Sequence, residues 1–223
     1  MHEPRAGRCR GRAGWWATSN PFPLLAERDD VVLVGVWGLG PDLGAVRDKF
    51  GFGMATESVD ELLDSGLDAV IVTTPHDLHF DVASKALNRG LHVLCEKPMT
   101  LRADQAWDLV ERTERADTHL LVRYALCHRA SPTRGLFGGD PQHMLERWGS
   151  DTKPSESMWS DPAHGGGYAH RQITHSSALF FWLITGASTE NNSTVEVAAR
   201  SVELIEALLK SSTSDGKEIV VHD

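Results

Sequence analysis

Residues 68–98, DAVIVTTPHDLHFDVASKALNRGLHVLCEKP, carry the pattern from which the architecture follows. It opens with an apolar, β-branched run, Asp68 to Val72, stopped at Thr73-Thr74-Pro75. It closes with a second apolar run, Leu91 to Cys95, that ends in Glu96-Lys97-Pro98. Between them, Asp77 to Asn88 carries a helical pattern with Leu78, Val82, Ala83, Ala86 and Leu87 on one face, and Gly90 closes it. Strand, helix and strand in about thirty residues imply a right-handed parallel crossover.

Outward from this unit, Val31 to Val36 is a continuous apolar run that reads as another buried strand. Ser58-Val59-Asp60-Glu61 reads as a capping box opening a short helix before Asp68. The order is βαβαβ, which is an α/β chain with a doubly wound parallel sheet. Such sheets present the carboxyl ends of their strands to the ligand crevice. An amine at the end of an apolar strand, Lys97, is therefore placed for chemistry, although lysines also end strands for purely structural reasons.

Three motifs in order resemble the Gfo/Idh/MocA oxidoreductases, the family of glucose-fructose oxidoreductase and inositol dehydrogenase-like enzymes. Thr73-Thr74-Pro75 followed by His79 is similar to that family's strand-end Thr-Pro-x-x-x-His element, and Glu96-Lys97-Pro98 to its signature triplet. Gly165-Gly166-Gly167 followed by His175 is similar to the glycine run that opens its histidine-bearing helix. The resemblance covers residues 11–123 best, 127–186 less closely, and the tail at 194–210. It implies a Rossmann-like dinucleotide-binding domain over 1–123 and a second α/β domain over 124–223. It also implies NAD or NADP as cofactor, and hydride transfer between nicotinamide and a secondary alcohol of a sugar or cyclitol. On the same resemblance Lys97 and His175 are catalytic, and Gly11, Gly14, Trp16, Trp37, Thr73, Pro75, His79, Glu96 and Lys97 form the cofactor site. The chemistry is coherent, because a hydride leaving carbon requires the hydroxyl proton to leave as well, and histidine titrates near neutral pH. Lysine can take that proton if desolvation lowers its pKa, or stabilise the developing alkoxide as a cation.

The chain also departs from the family. Met1 to Arg10 contain no apolar run, so the first strand is expected to be missing or degraded. Gly11-Arg12-Ala13-Gly14-Trp15-Trp16-Ala17 stands as the remains of the phosphate-binding turn, with its helix running on toward Leu24, Leu25 and Ala26. A second glycine pattern, Gly38-Leu39-Gly40-Pro41-Asp42-Leu43-Gly44, follows the Val31 to Trp37 run. Taken as the fingerprint, it would make that run the first strand. The family register, which is preferred, makes it the second, with Trp37 and Gly38 near the adenosine ribose. Neither residue is the acid that selects NAD or the arginine that selects NADP.

Arg171 stands four residues before His175, where the family carries an aspartate, and cannot serve as a base. His175 as an ordinary helix histidine therefore remains the alternative. After Gly186 only 37 residues remain, a polar stretch and then a helical run from Val195 to Leu209. The second domain is accordingly expected to be incomplete, lacking its large sheet. The apolar run Ala178 to Ile184 is left to aggregate or to pack on a partner, a homo-oligomer through the second domain. The chain reads as a shortened or decayed family member, with a shifted frame or misassigned start as one source of its arginine-rich beginning. A catalytically silent remnant that keeps a partial nucleotide fold is the second functional reading.

Composition bounds the rest. Apolar residues make up 41%, enough for a core, and no window approaches the length of a membrane span. Net charge is −9, and residues 1–12 contribute +3, so the remainder is at −12. An acidic body argues against nucleic acid. Cys9, Cys95 and Cys127 have no paired spacing, which fits a reducing, cytoplasmic compartment. His143, His164, His170 and His175 do not follow ligand spacing, so no metal is expected. Trp148 and Trp159 flank a polar stretch and read equally as substrate-loop or packing residues. The small-molecule partner implied by the family is a polyol or sugar.

Overall fold

The computed structural model describes residues 5–9, 15–123 and 194–221. It divides into two compact units, Met1–Glu96 with Glu111–Leu121, and Lys97–Val110 with Val122–Asp223. The first unit is built on a six-stranded sheet. Its strands are β1 (Arg5–Cys9), β2 (Val32–Trp37), β3 (Met54–Thr56), β4 (Ala69–Val72), β5 (His92–Glu96) and β6 (Leu120–Arg123), in spatial order β3-β2-β1-β4-β5-β6. β1 pairs in parallel with both β2 and β4, β2 with β3, and β4 with β5. The helices between them are α1 (Trp15–Ser19), α2 (Pro21–Ala26), α3 (Leu43–Phe50), α4 (Val59–Leu63) and α5 (His79–Leu87), the last preceded by a 3-10 turn at His76–Leu78. This is the doubly wound α/β architecture expected from the crossover pattern, and Val32–Trp37 takes the second-strand register.

The first strand is present, which corrects the expectation that it is missing or degraded. Arg5–Cys9 lies at the centre of the sheet, with Gly7 paired to Gly35 on one side and to Val70 on the other. The apolar pattern does not reveal it because ladder hydrogen bonds use backbone groups that every non-proline residue carries. Two flanking strands offer donors and acceptors on both edges, which pairs the strand without an apolar run. The register slips between Ala6 and Gly7, which marks an irregular strand.

The helix after β1 does not run on to Ala26. It stops at Ser19, Asn20 turns the chain, and α2 restarts at Pro21, which lacks the N–H to continue the first helix and suits the opening of a new one. Phe22 of α2 is fully buried and packs edge-to-face on Phe50 and Phe52, with ring centroids 5.2 and 5.1 Å apart. Ala17, Val36, Leu43 and Val46 complete this core cluster.

Local signals act much as read. Ser58 caps α4, its Oγ accepting from Glu61 N at 3.2 Å. The reciprocal half of the box is rewired, since Thr56 Oγ1 accepts from Ser58 N at 3.0 Å and donates to the Glu61 carboxylate. Gly90 has φ 71°, as the stop after α5 requires. On α5, Val82, Ala83, Ala86 and Leu87 are buried as expected, but Leu78 is exposed and His79 takes the inner position.

In the second unit the helix α7 spans Val195–Ser212, the expected run with one further turn. Thr194 caps it, and Val195, Ala198, Ala199, Val202 and Ile205 form its buried face. α6 (Ala103–Ala116) begins in this unit. Its first N–H, that of Ala103, donates to Glu206 Oε2 at 2.7 Å, and Arg200 stacks on Trp107 at 5.0 Å. Among the described residues no helix is long and apolar enough to cross a membrane. The remainder of the expected second α/β domain, with the Ala178 to Ile184 run, Trp148, Trp159 and the histidines at 143, 164 and 170, lies outside the described residues.

Candidate active site

The carboxyl ends of β4 and β5 carry most of the candidate residues. β4 alternates, with Val70, Val72 and then Thr74 buried, because side chains two apart share a face of a strand. The hydroxyls of Thr73 and Thr74 are both buried and have no hydrogen-bond partner among the described residues. Pro75 turns the chain from the strand into the 3-10 turn. His79, fully buried, lies with Nε2 2.9 Å from the Thr74 carbonyl. A carbonyl only accepts, so Nε2 carries the proton and donates. His79 thus pins the strand end from beneath, and His76 packs edge-on against it at 5.6 Å. Thr73, Pro75 and His79 are brought together, and Thr74 and His76 belong with them although the motif alone did not single them out. The period-two pattern of β4, extended by one step, was the signal for Thr74.

At the end of β5, Cys95 is fully buried and Glu96 is 8% exposed. Burial, and then the neighbouring Glu96 charge, push the Cys95 thiol well above its ordinary pKa, so it is an inert core group. The Glu96 carboxylate accepts from Trp16 Nε1 at 2.8 Å, a contact across 80 residues of sequence that joins two of the expected cofactor-site residues. Lys97 follows Glu96 directly, is half-buried, and makes a cis peptide bond with Pro98.

Trp37 lies apart from these groups, at the end of β2. It is buried, its indole N–H donates to the Glu57 carbonyl at 2.8 Å, and Gly38 N donates to Thr56 O at 3.2 Å. Both residues anchor β2 to the end of β3. Gly11, Gly14, Arg171, His175 and the Gly165-Gly166-Gly167 run lie outside the described residues.

A family model described as "Oxidoreductase family, NAD-binding Rossmann fold", that of Gfo/Idh/MocA, matches residues 13–124, half of the chain. The chain belongs to the Gfo/Idh/MocA oxidoreductase family. D-xylose 1-dehydrogenase (NADP(+)) 2 of Haloferax volcanii is 44% identical over 81 residues, covering 36% of this chain and 25% of that protein. An inositol 2-dehydrogenase of an Arthrobacter species is 43% identical over 63 residues, covering 28% of this chain and 19% of the relative. The chain therefore spans a quarter or less of these two curated relatives.

Among solved structures, a 3-ketoreductase from Actinomadura kijaniata in complex with NADP and TDP-benzene aligns with a TM-score of 0.65 at 22% identity. That alignment covers 80% of this chain and 57% of the other. A dehydrogenase-like protein from Bordetella bronchiseptica aligns with a TM-score of 0.64 at 24% identity, covering 83% and 50%. At these identities the likeness concerns the fold. Membership makes the sheet of the first unit an NAD-binding Rossmann fold.

Proposed function

We propose that this chain is an NAD(P)-dependent oxidoreductase that moves hydride between nicotinamide and a secondary alcohol of a sugar or cyclitol. The observation that carries the reading is the pair of buried, unsatisfied hydroxyls on Thr73 and Thr74 at the end of β4, in a doubly wound sheet of an NAD-binding family. Buried hydroxyls without partners cost free energy, and a polar ligand laid across the strand end would satisfy them. The donor set fits a dinucleotide, which supplies the hydride acceptor when bound. Thr73, Thr74 and Pro75 would line its nicotinamide half, with His79 holding their backbone from below.

Lys97 and His175 are the proposed proton-transfer groups. A lysine held at the end of an apolar strand can take the hydroxyl proton or steady the alkoxide as it forms. The division into a dinucleotide-binding domain over 1–123 and a substrate or oligomerisation domain over 124–223 is part of the proposal. So are a small polyol or sugar as partner and a cytoplasmic setting. The dehydrogenases named above, one specific for NADP by its name and one for inositol, support the substrate class and leave the choice of cofactor to experiment.

Titration of the purified chain with NADH and with NADPH, followed by nicotinamide fluorescence, tests the reading. Saturable binding is expected, and a screen of polyols and sugars should then show turnover that Lys97→Ala lowers by about 100-fold or more, the usual loss for an acid–base group. A folded chain that binds neither nucleotide refutes it. Arg171, in the place of the family's aspartate, favours the second reading, a silent remnant. Its signature would be binding without turnover on any polyol.

A further inference from the structure

The strand order reverses between β1 and β4, and ligands of such sheets lie outside the carboxyl ends at that point. Trp16 stands on α1, the helix that follows β1, while Glu96 is the last residue of β5, two places along the sheet from β1. The bond from Trp16 Nε1 to Glu96 Oε1 therefore ties the helix after β1 to the end of β5, and β4, the strand between β1 and β5, leads into Thr73 and Thr74 with their unsatisfied hydroxyls. Each group has a physical reason to hold the other. A carboxylate only 8% exposed is costly unless hydrogen-bonded, and an indole N–H can do nothing but donate. The indole is also rigid, with two χ angles to fix, so it transmits position at low entropic cost.

We propose that Trp16 is a positioning residue of the nucleotide crevice. Clasped by Glu96, its indole fixes the spacing between the helix after β1 and the end of β5, and so sets the width of the crevice over its nicotinamide half. The proposal rests on the oxidoreductase reading above, and it deepens the expected role of both residues. Trp16 spends its one hydrogen-bonding group on Glu96 rather than on the cofactor, and Glu96 acts through Trp16. The adenosine half, which such folds seat beyond β1 toward β2 and β3, is not touched by the clasp.

The test uses the full chain with NADPH and, as a probe of the adenosine half alone, ADP. Trp16→Phe removes the donor, Glu96→Ala removes the acceptor, and Glu96→Gln keeps a carbonyl oxygen able to accept. Trp16→Phe and Glu96→Ala should each weaken NADPH about tenfold, the scale of one hydrogen bond to a charged group. The double variant should lose less than the two single losses added together, since both changes break the same bond. Glu96→Gln should stay within about threefold of the wild type, and ADP affinity should be unchanged throughout. If Glu96→Ala does not fold, the 15N indole resonance of Trp16, identified by its loss in Trp16→Phe, should still move in Glu96→Gln. Unchanged NADPH affinity in both single variants, parallel loss of ADP and NADPH, or an unmoved indole resonance overturns the proposal. A wild-type chain that binds ADP but neither NADH nor NADPH refutes the oxidoreductase reading, and the clasp's proposed role falls with it.

Discussion

At the scale of single residues, Gly35 shows how a small side chain can be compulsory. A Cβ placed there would lie 2.6 Å from Met54 Cγ and 2.7 Å from Leu62 Cδ1, closer than any real contact. Gly35→Ala is expected to destabilise the chain by about 1–3 kcal/mol, the range for overpacking, read from the urea midpoint. Phe22→Ala should cost about 3–5 kcal/mol in the same measurement, because it empties the centre of the aromatic cluster. Thr74 should behave in the opposite sense. Replacing its unsatisfied hydroxyl with the methyl of Thr74→Val removes a desolvated polar group and should stabilise the nucleotide-free chain by about 1 kcal/mol. The same variant should bind NADPH more weakly than the wild type. A variant that loses stability instead would show that the hydroxyl already has a partner. The motif reading proposes Thr73, Pro75, His79, Glu96 and Lys97 because their order along the chain is itself the signal. It could not see that Trp16 reaches Glu96, since no rule of spacing connects residues 80 apart.

At the scale of elements, α4 and α5 are joined by a charge network on the surface. Lys85 Nζ lies 2.7 Å from Asp60 Oδ2, and Arg89 reaches Asp64 at 2.6 Å and Asp60 at 3.0 Å. The hydrogen bond from Lys85 holds the Asp60 carboxyl below its usual value, and that from Arg89 does the same for Asp64. A carboxylate whose folded pKa is depressed stabilises the fold above its unfolded pKa and loses that contribution as pH falls through the folded one. The stabilisation should therefore be complete well above 3.8, the ordinary Asp value, and fade below it. Asp60→Asn/Asp64→Asn should have a lower urea midpoint than the wild type at pH 7, with the gap closing as the pH drops below about 4. The gap should be small and should shrink in high salt, since these groups are exposed. A gap that widens in acid would exclude the network as its cause. The apolar faces of α5 and α7 and the cap at Ser58 were legible in the sequence because helices bury side chains with a fixed period. The break at Asn20-Pro21 was marked by its prolines and was still missed, because the apolar residues beyond it kept the helical spacing.

At the scale of the whole molecule, nucleotide binding and folding are linked. A ligand that binds only the native chain raises its stability, by about 2.7 kcal/mol at one hundred times its Kd. NADPH should accordingly raise the thermal midpoint of the wild type, and by less in Trp16→Phe at equal concentration. In the second unit, Trp107→Ala should loosen α7 by removing the ring on which Arg200 stacks, and limited proteolysis should then cut within 194–212 sooner than in the wild type. The α/β class, the crossover from β4 to β5 and the residues at their carboxyl ends could all be read from the chain alone. Hydrophobic period and motif order are local properties, complete within about thirty residues. That Arg5–Cys9 is the central strand, that His79 rather than Leu78 turns inward, and that Trp16 is held by Glu96 became visible in the folded chain. Each of these depends on groups distant in the chain: backbone partners on two neighbouring strands, a carbonyl above a buried ring, and a carboxylate that must find a donor once it leaves water.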